Sequence, residues 1–168
     1  MINEAKLKEL EEQGCEGRTY KLQRVTGLKD EPTASHPGFI EQEHKQLEKS
    51  IRADATLCLR VGAQVMCVVN MDRGGSGTGS PIVNGSQGVV RGFSEAGWPV
   101  VDFGSTTREM CPHAWASQAD ESVGVKQVPL ILAWAITIHK SQGVTLELAQ
   151  VDAGSGVFEC GQTYVALS

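Results

Sequence analysis

The chain of 168 residues reads as an α/β protein. A small antiparallel barrel or curled sheet occupies its middle, and a stretch with the element order of a parallel sheet follows. Three observations predict this. Glycine is abundant (19 residues) while aromatics are only 5%, a mix that suits short strands and tight turns better than a helical bundle. Between Leu57 and Phe103, short apolar strand patterns alternate with turn signals. Finally, Gln127–Ala135 and Leu146–Asp152 are nearly continuous apolar runs separated by a polar turn, as for strands buried on both faces of a parallel sheet.

Taken in order, Ile2, Leu7 and Leu10 among Glu and Lys predict a weakly amphipathic helix over Ile2–Gln13, stopped by Gly14. Arg18–Val25 alternates polar and apolar residues as one half-exposed strand would. Thr26–Arg52 is polar, with Pro32, Pro37 and Gly38; a loop and then a surface helix over Phe39–Ile51 fit it. Leu57, Leu59, Val61 and Val65–Val69 form a strand pattern broken by Gly62. A Gly/Ser loop spans Arg73–Ser80, and Asn84-Gly85 signals a hairpin because both residues tolerate positive φ. Gly88–Phe93 and Trp98–Phe103 read as strands around a Ser-Glu-Ala-Gly turn. After a looser segment come the two buried strands, the glycine-rich AGSG loop, and a helix starting at Gln162. No internal repeat is visible.

Composition excludes several functions. No apolar run approaches the ~18 residues of a membrane span; the longest is Val128–Ile136. The N-terminus has neither an apolar signal core nor an Arg/Ser-rich transit character. Five scattered cysteines without a C-x-x-C pair predict reduced, mostly buried thiols of an intracellular protein. A net charge of −5 and a pI near 5.4 argue against holding nucleic acid by bulk charge. A few placed groups, or a partner domain, must do it instead.

Candidate chemistry is sparse. Gly74–Gly79 matches half of a phosphate-binding loop, but Ser80 stands where the lysine belongs, and Pro81 and a turn replace the helix. It reads as a hairpin linker. No G-x-S-x-G elbow exists around Ser86 or Ser155. Cys111 and His113 are too few for a zinc site, and His36 and His44 read as solvated. Thr137-Ile138-His139-Lys140-Ser141-Gln142-Gly143 differs, because it sets five donors to phosphate or base edges just beyond a buried strand. That edge of an α/β sheet is where ligands bind. The same residues also fit a plain helix start with a Ser or Thr cap.

In order, LRVGAQVM, IVNGSQGVVRGF, PVVDF, VPLILAWAITIHKSQGVTLELAQVDAG and VFECGQTYVALS resemble the C-terminal half of Pif-family DNA helicases. These are superfamily-one motors related to RecD. INEAKLKEL and RTY resemble the segment that opens that half, so the likeness runs from about Ile2 to Ser168 around a divergent linker at Thr26–Thr56. The resemblance implies a partial RecA-like parallel sheet with an inserted small antiparallel β-barrel of the Src-homology-three type. Residues 1–56 would be the opening part of the second RecA-like domain plus linker. Residues 57–126 would be the barrel region, and 127–168 the remainder, with the fifth helicase motif and the start of the sixth.

The implied function is ATP-dependent 5′ to 3′ DNA unwinding, with family roles in repair, recombination and telomere maintenance, in nucleus or mitochondrion. Thr137, His139, Lys140, Ser141 and Gln142 fall where the family contacts the single-stranded DNA backbone. Gly143, Thr145, Tyr164 and Ser168 fall at the nucleotide cleft. ATP and Mg would be held mainly by a first RecA-like domain, whose phosphate loop and acidic motif have no counterpart here, and the sixth-motif arginine would follow Ser168. The expectation is therefore a truncated motor, inactive alone and partnered by single-stranded DNA and the missing domain. The alternatives are a non-catalytic relic that binds nucleic acid or protein, and a product that does not fold stably.

Overall fold

The computed structural model describes residues 2–28, 36–71 and 81–137. Helix α1 (Ile2–Glu12) ends as predicted. Gly14 takes φ +74°, its N–H bonds Glu11 O at 2.9 Å, and Cys15 N–H reaches back to Leu10 O at 3.0 Å. This is a Schellman closure, and it needs a residue tolerant of left-handed backbone at position 14.

The single strand expected at Arg18–Val25 is two strands, β1 (Gly17–Lys21) and β2 (Gln23–Thr26). They part because the chain changes partner. β1 pairs antiparallel with β3 (Thr56–Arg60), while β2 pairs with β9 (Val123–Gln127). Gln127 is buried at the junction, where its Nε2 donates to Asp54 O at 2.8 Å and Tyr20 O at 3.3 Å, and its Oε1 accepts from Val128 N–H. A buried carboxamide stays in place only when its donors and acceptor are used, as here.

Helix α2 (Pro37–Ser50) follows the second undescribed stretch. Pro37 opens its first turn, and His36 caps it by accepting Gly38 N–H on Nδ1. His44, expected in solvent, is buried, with Nε2 3.3 Å from Val25 O. The sequence places it in a charged stretch, but the helix turns it onto β2. Outside, Arg24 grips Glu48 with two nitrogens (2.6 and 3.1 Å) and Glu41 with a third (2.8 Å). The Lys45 ammonium and then Arg24 hold the Glu41 carboxyl below its ordinary range, and Arg24 does the same for Glu48.

The central sheet has the order β10-β4-β5-β6-β7, every pair antiparallel. Its members are β4 (Gln64–Cys67), β5 (Gln87–Phe93), β6 (Pro99–Asp102), β7 (Thr107–Glu109) and β10 (Leu130–Leu132). β8 (His113–Ala116) completes a second sheet of order β2-β9-β8. Gly62 (φ +89°) breaks the chain between β3 and β4 as expected. Asn84-Gly85 does form a turn, with Gly85 at φ +97° and Ser86 N–H on Val83 O. Ile82 and Val83, however, are not a strand, and β5 takes β4 as its partner. The Gly/Ser loop lies outside the described residues.

One expectation needs correction. The described strands form an open five-stranded sheet, with β10 and β7 at its edges, and not a closed barrel. β7 is three exposed polar residues, too short and too polar to wrap round and meet β10. The described strands pair antiparallel throughout, and Leu146–Asp152, the expected parallel neighbour of Gln127–Ala135, lies outside the described residues. Leu130–Leu132 runs antiparallel to β4, and the apolar run of Gln127–Ala135 is split. Pro129 has no N–H to give a ladder, so β9 ends in one sheet and β10 begins in another. The strand at Leu146–Asp152 and the helix at Gln162–Ser168 lie outside the described residues.

One buried core, including Leu57, Leu59, Val65, Met66, Leu130 and Ile131, joins β1–β3 to the central sheet. The Ser94–Gly97 turn docks on β1. Tyr20 donates its hydroxyl to Gly97 O at 2.7 Å and stacks on Trp98 at 6.0 Å, and the Arg18 guanidinium lies 5.4 Å over Phe93. Burial pushes the Tyr20 phenol from 10 up to about 12. Because the folded value is the higher one, the contribution of Tyr20 to stability is constant below pH 10 and declines between pH 10 and about 12. Urea unfolding of wild type and Tyr20→Phe across that window should show a steeper decline in the wild type.

Candidate nucleic-acid interface

The residues expected to grip a backbone begin at Thr137, which is exposed at the end of the last described segment. His139, Lys140, Ser141, Gln142, Gly143, Thr145, Tyr164 and Ser168 lie outside the described residues. What the structure supplies is the mount. Pro129 O accepts from Val68 N–H (3.1 Å), and Leu130–Leu132 pairs with Cys67–Val65. Ala133 N–H then donates to Gln64 O at 2.9 Å. Val128, Leu130 and Ile131 are fully buried, so an apolar rail carries the chain outward to half-buried Ala133–Ile136.

At Ala135 the side chain of Asn3 takes over. Its Nδ2 donates to Ala135 O (2.8 Å), and its Oδ1 accepts Ala135 N–H (2.9 Å). Sequence reading passed over Asn3, whose only local signal is a polar residue in a first helical turn. Its partner is 132 positions away.

Beside Ala133 a groove of about 370 Å³ opens on β4–β6, edged by Gln64, Gln87, Arg91, Asp102 and Phe103. Gly88 forms its floor, since a Cβ there would lie 2.7 Å from Asp102 O and 3.0 Å from the Phe103 ring. Arg91 pairs with Asp102 at 2.9 and 3.1 Å. The Gly104 N–H and then Arg91 hold the Asp102 carboxyl below its ordinary range. One cation neutralised by one anion gives the groove little pull on phosphate.

The cysteines are less buried than expected. Of the four described, only Cys67 is buried, its thiol pushed up by burial and bonded to Val69 O; Cys58 and Cys111 are exposed. His113 stands edge-on to Trp115 at 4.8 Å, and burial lowers its pKa. Among the described residues no three His, Cys, Asp or Glu side chains come together to hold a metal ion, and no helix is long and apolar enough to cross a membrane.

No family model matches the chain. It is 38% identical over 150 residues to the ATP-dependent DNA helicase PIF1 of Xenopus laevis, covering 84% of this chain and 23% of that protein. The crystal structure of the Pif1 helicase from Candida albicans matches with a TM-score of 0.66 and 31% identity, covering 99% of this chain and 40% of that one. The Bacteroides Pif1 helicase in complex with ADP-AlF3 and single-stranded DNA matches with a TM-score of 0.53 and 30% identity, covering 99% and 34%. The chain thus spans under a quarter of the Xenopus relative's length. The likeness covers 84% of the chain in sequence and 99% of it in backbone, and on these grounds the chain belongs to the Pif1 family of DNA helicases.

Proposed function

We propose that the chain is a portion of the C-terminal motor region of an ATP-dependent 5′ to 3′ DNA helicase. It contributes contacts to the single-stranded DNA backbone and one wall of the ATP cleft. The observation that carries this reading is the likeness, over nearly the whole chain, to a Pif1 structure holding both single-stranded DNA and a nucleotide complex. Thr137, His139, Lys140, Ser141 and Gln142 supply hydroxyls, an imidazole, an ammonium and an amide. Such groups grip phosphates without reading bases, which a motor that translocates over any sequence requires. Gly143, Thr145, Tyr164 and Ser168 are assigned to the nucleotide cleft by the family resemblance.

Val61–Ser168 holds 5 basic against 9 acidic residues, so the grip is local and not a field effect. The groove beside Ala133, with its paired Arg91 and Asp102, adds no phosphate site. ATP and its Mg belong mainly to a companion RecA-like domain. The site of action is wherever the cell keeps the DNA it unwinds, nucleus or mitochondrion.

The test is DNA-stimulated ATP hydrolysis by a motor that includes this chain. Lys140→Ala should raise the DNA concentration for half-stimulation about tenfold, the loss of one charge-assisted contact. Stimulation unchanged by the substitution would mean that Lys140 serves only as a solvated helix residue.

A further inference from the structure

Asn3 bonds one residue twice. Its carboxamide gives a donor to Ala135 O and an acceptor to Ala135 N–H, at 2.8 and 2.9 Å. This reproduces the two-bond exchange of a hydrogen-bonded strand pair, which fixes a residue's orientation as well as its position. Ala135 needs such a partner. The β10 ladder ends at Leu132↔Val65, Ala133 makes one further bond to Gln64, and beyond it the backbone has left the sheet.

The helix that carries Asn3 is itself fixed at its other end. Arg60 of β3 bonds Glu11 at 2.7 Å and Cys15 O at 2.9 Å. Leu10 packs over Gly62, where a Cβ would lie 3.3 Å from its Cδ2. A continuous run of contacts therefore joins β3 to α1, α1 to Asn3, and Asn3 to Ala135, two residues before Thr137.

We propose that Asn3 is a positioning residue for the DNA-gripping segment: it sets the point and direction in which the chain leaves β10 toward Thr137. This rests on the reading of Thr137–Gln142 as the DNA contact. Asn3 acts through the Ala135 backbone and carries no charge. Losing it should weaken binding without changing the number of phosphate contacts.

The experiment uses the 168-residue chain, a labelled oligothymidylate followed by fluorescence anisotropy, and amide hydrogen exchange. In Asn3→Ala the Ala135 amide should exchange at least ~10-fold faster and oligothymidylate affinity should fall about tenfold, the scale of one to two lost hydrogen bonds. Protection in β4 and β5 and the salt dependence of binding should stay as in wild type. Asn3→Asp keeps the size and the acceptor and suits a helix N-terminus, yet sets a carboxylate against Ala135 O. It should shift both readouts in the same direction, and it serves if Asn3→Ala folds poorly. Affinity equal to wild type in variants with faster Ala135 exchange overturns the positioning role, as does unchanged exchange. Faster exchange throughout the central sheet would make Asn3 a general stabiliser, which also overturns it. A wild-type chain that does not bind the oligothymidylate removes the DNA reading, and this proposal with it, whereas binding by wild type and variants alike removes the proposal alone.

Discussion

Leu130→Ala should lower the unfolding free energy by about 2–5 kcal/mol, the range for emptying a closed core site of a leucine side chain. Leu130 has no exposed surface, lies on β10 opposite Cys67 of β4, and belongs to the core shared with Leu57, Leu59 and Met66. β10 is three residues long and has a described partner on one side only, so packing more than hydrogen bonding holds it to the sheet. Against a typical total of 5–15 kcal/mol the loss is large, and for a chain of this size it corresponds to a melting point lower by roughly 4–20 °C. Urea unfolding measures it. A cost under about 1 kcal/mol would mean that β10 is not seated as described. Because β10 feeds the segment at Thr137, DNA affinity should fall with it.

Gly124→Ala should cost about 1–3 kcal/mol although it adds one methyl group. A Cβ at Gly124 would lie 2.3 Å from Leu28 Cδ1 and 2.6 Å from Trp115 O. The leucine tip can turn away, but Trp115 O is backbone of β8, which pairs with β9 through Trp115↔Val125 and Ala116↔Gly124. β8 must move out or lose its ladder. Gly92→Ala is the control, because nothing lies within 4 Å of a Cβ there and its φ is not positive. That change should be neutral within about 0.5 kcal/mol in thermal unfolding. Equal losses at both positions would contradict the crowding at β9 and point to a general intolerance of side chains on glycine strands.

What could be read from the sequence follows the range of the force that decides each element. Gly14 ends α1 through a closure made within five residues, and Pro37 opens α2 through its own fixed φ, so both helices were legible. β5 and β6 carry apolar residues around a local turn and were legible for the same reason. The breaks after Lys21 and Gln127 were not, because they occur where the chain exchanges one partner strand for another more than 30 residues away. β7 and β8 are short and mostly exposed, and look like loop until β6 and β9 supply the pairing. The open sheet in place of a barrel has the same origin, since closure depends on edge strands whose length no local pattern reveals.

At the site, Thr137 through Gln142 stood out as a row of donors after an apolar run, whereas Asn3 was invisible. Its importance is a contact across 132 residues. The burial of His44 was missed similarly, since β2 and α2 meet only in the folded chain.

The salt dependence of oligothymidylate binding tests the central claim most directly. For wild type, log affinity against log salt should fall along a line whose slope counts the phosphates gripped, at about 0.7 per phosphate for a single strand. Lys140→Ala should reduce that slope by about 0.7 and weaken binding equally for thymidylate, cytidylate and mixed sequences. A slope identical to wild type, or a loss confined to one base composition, would show that this segment does not hold the DNA backbone.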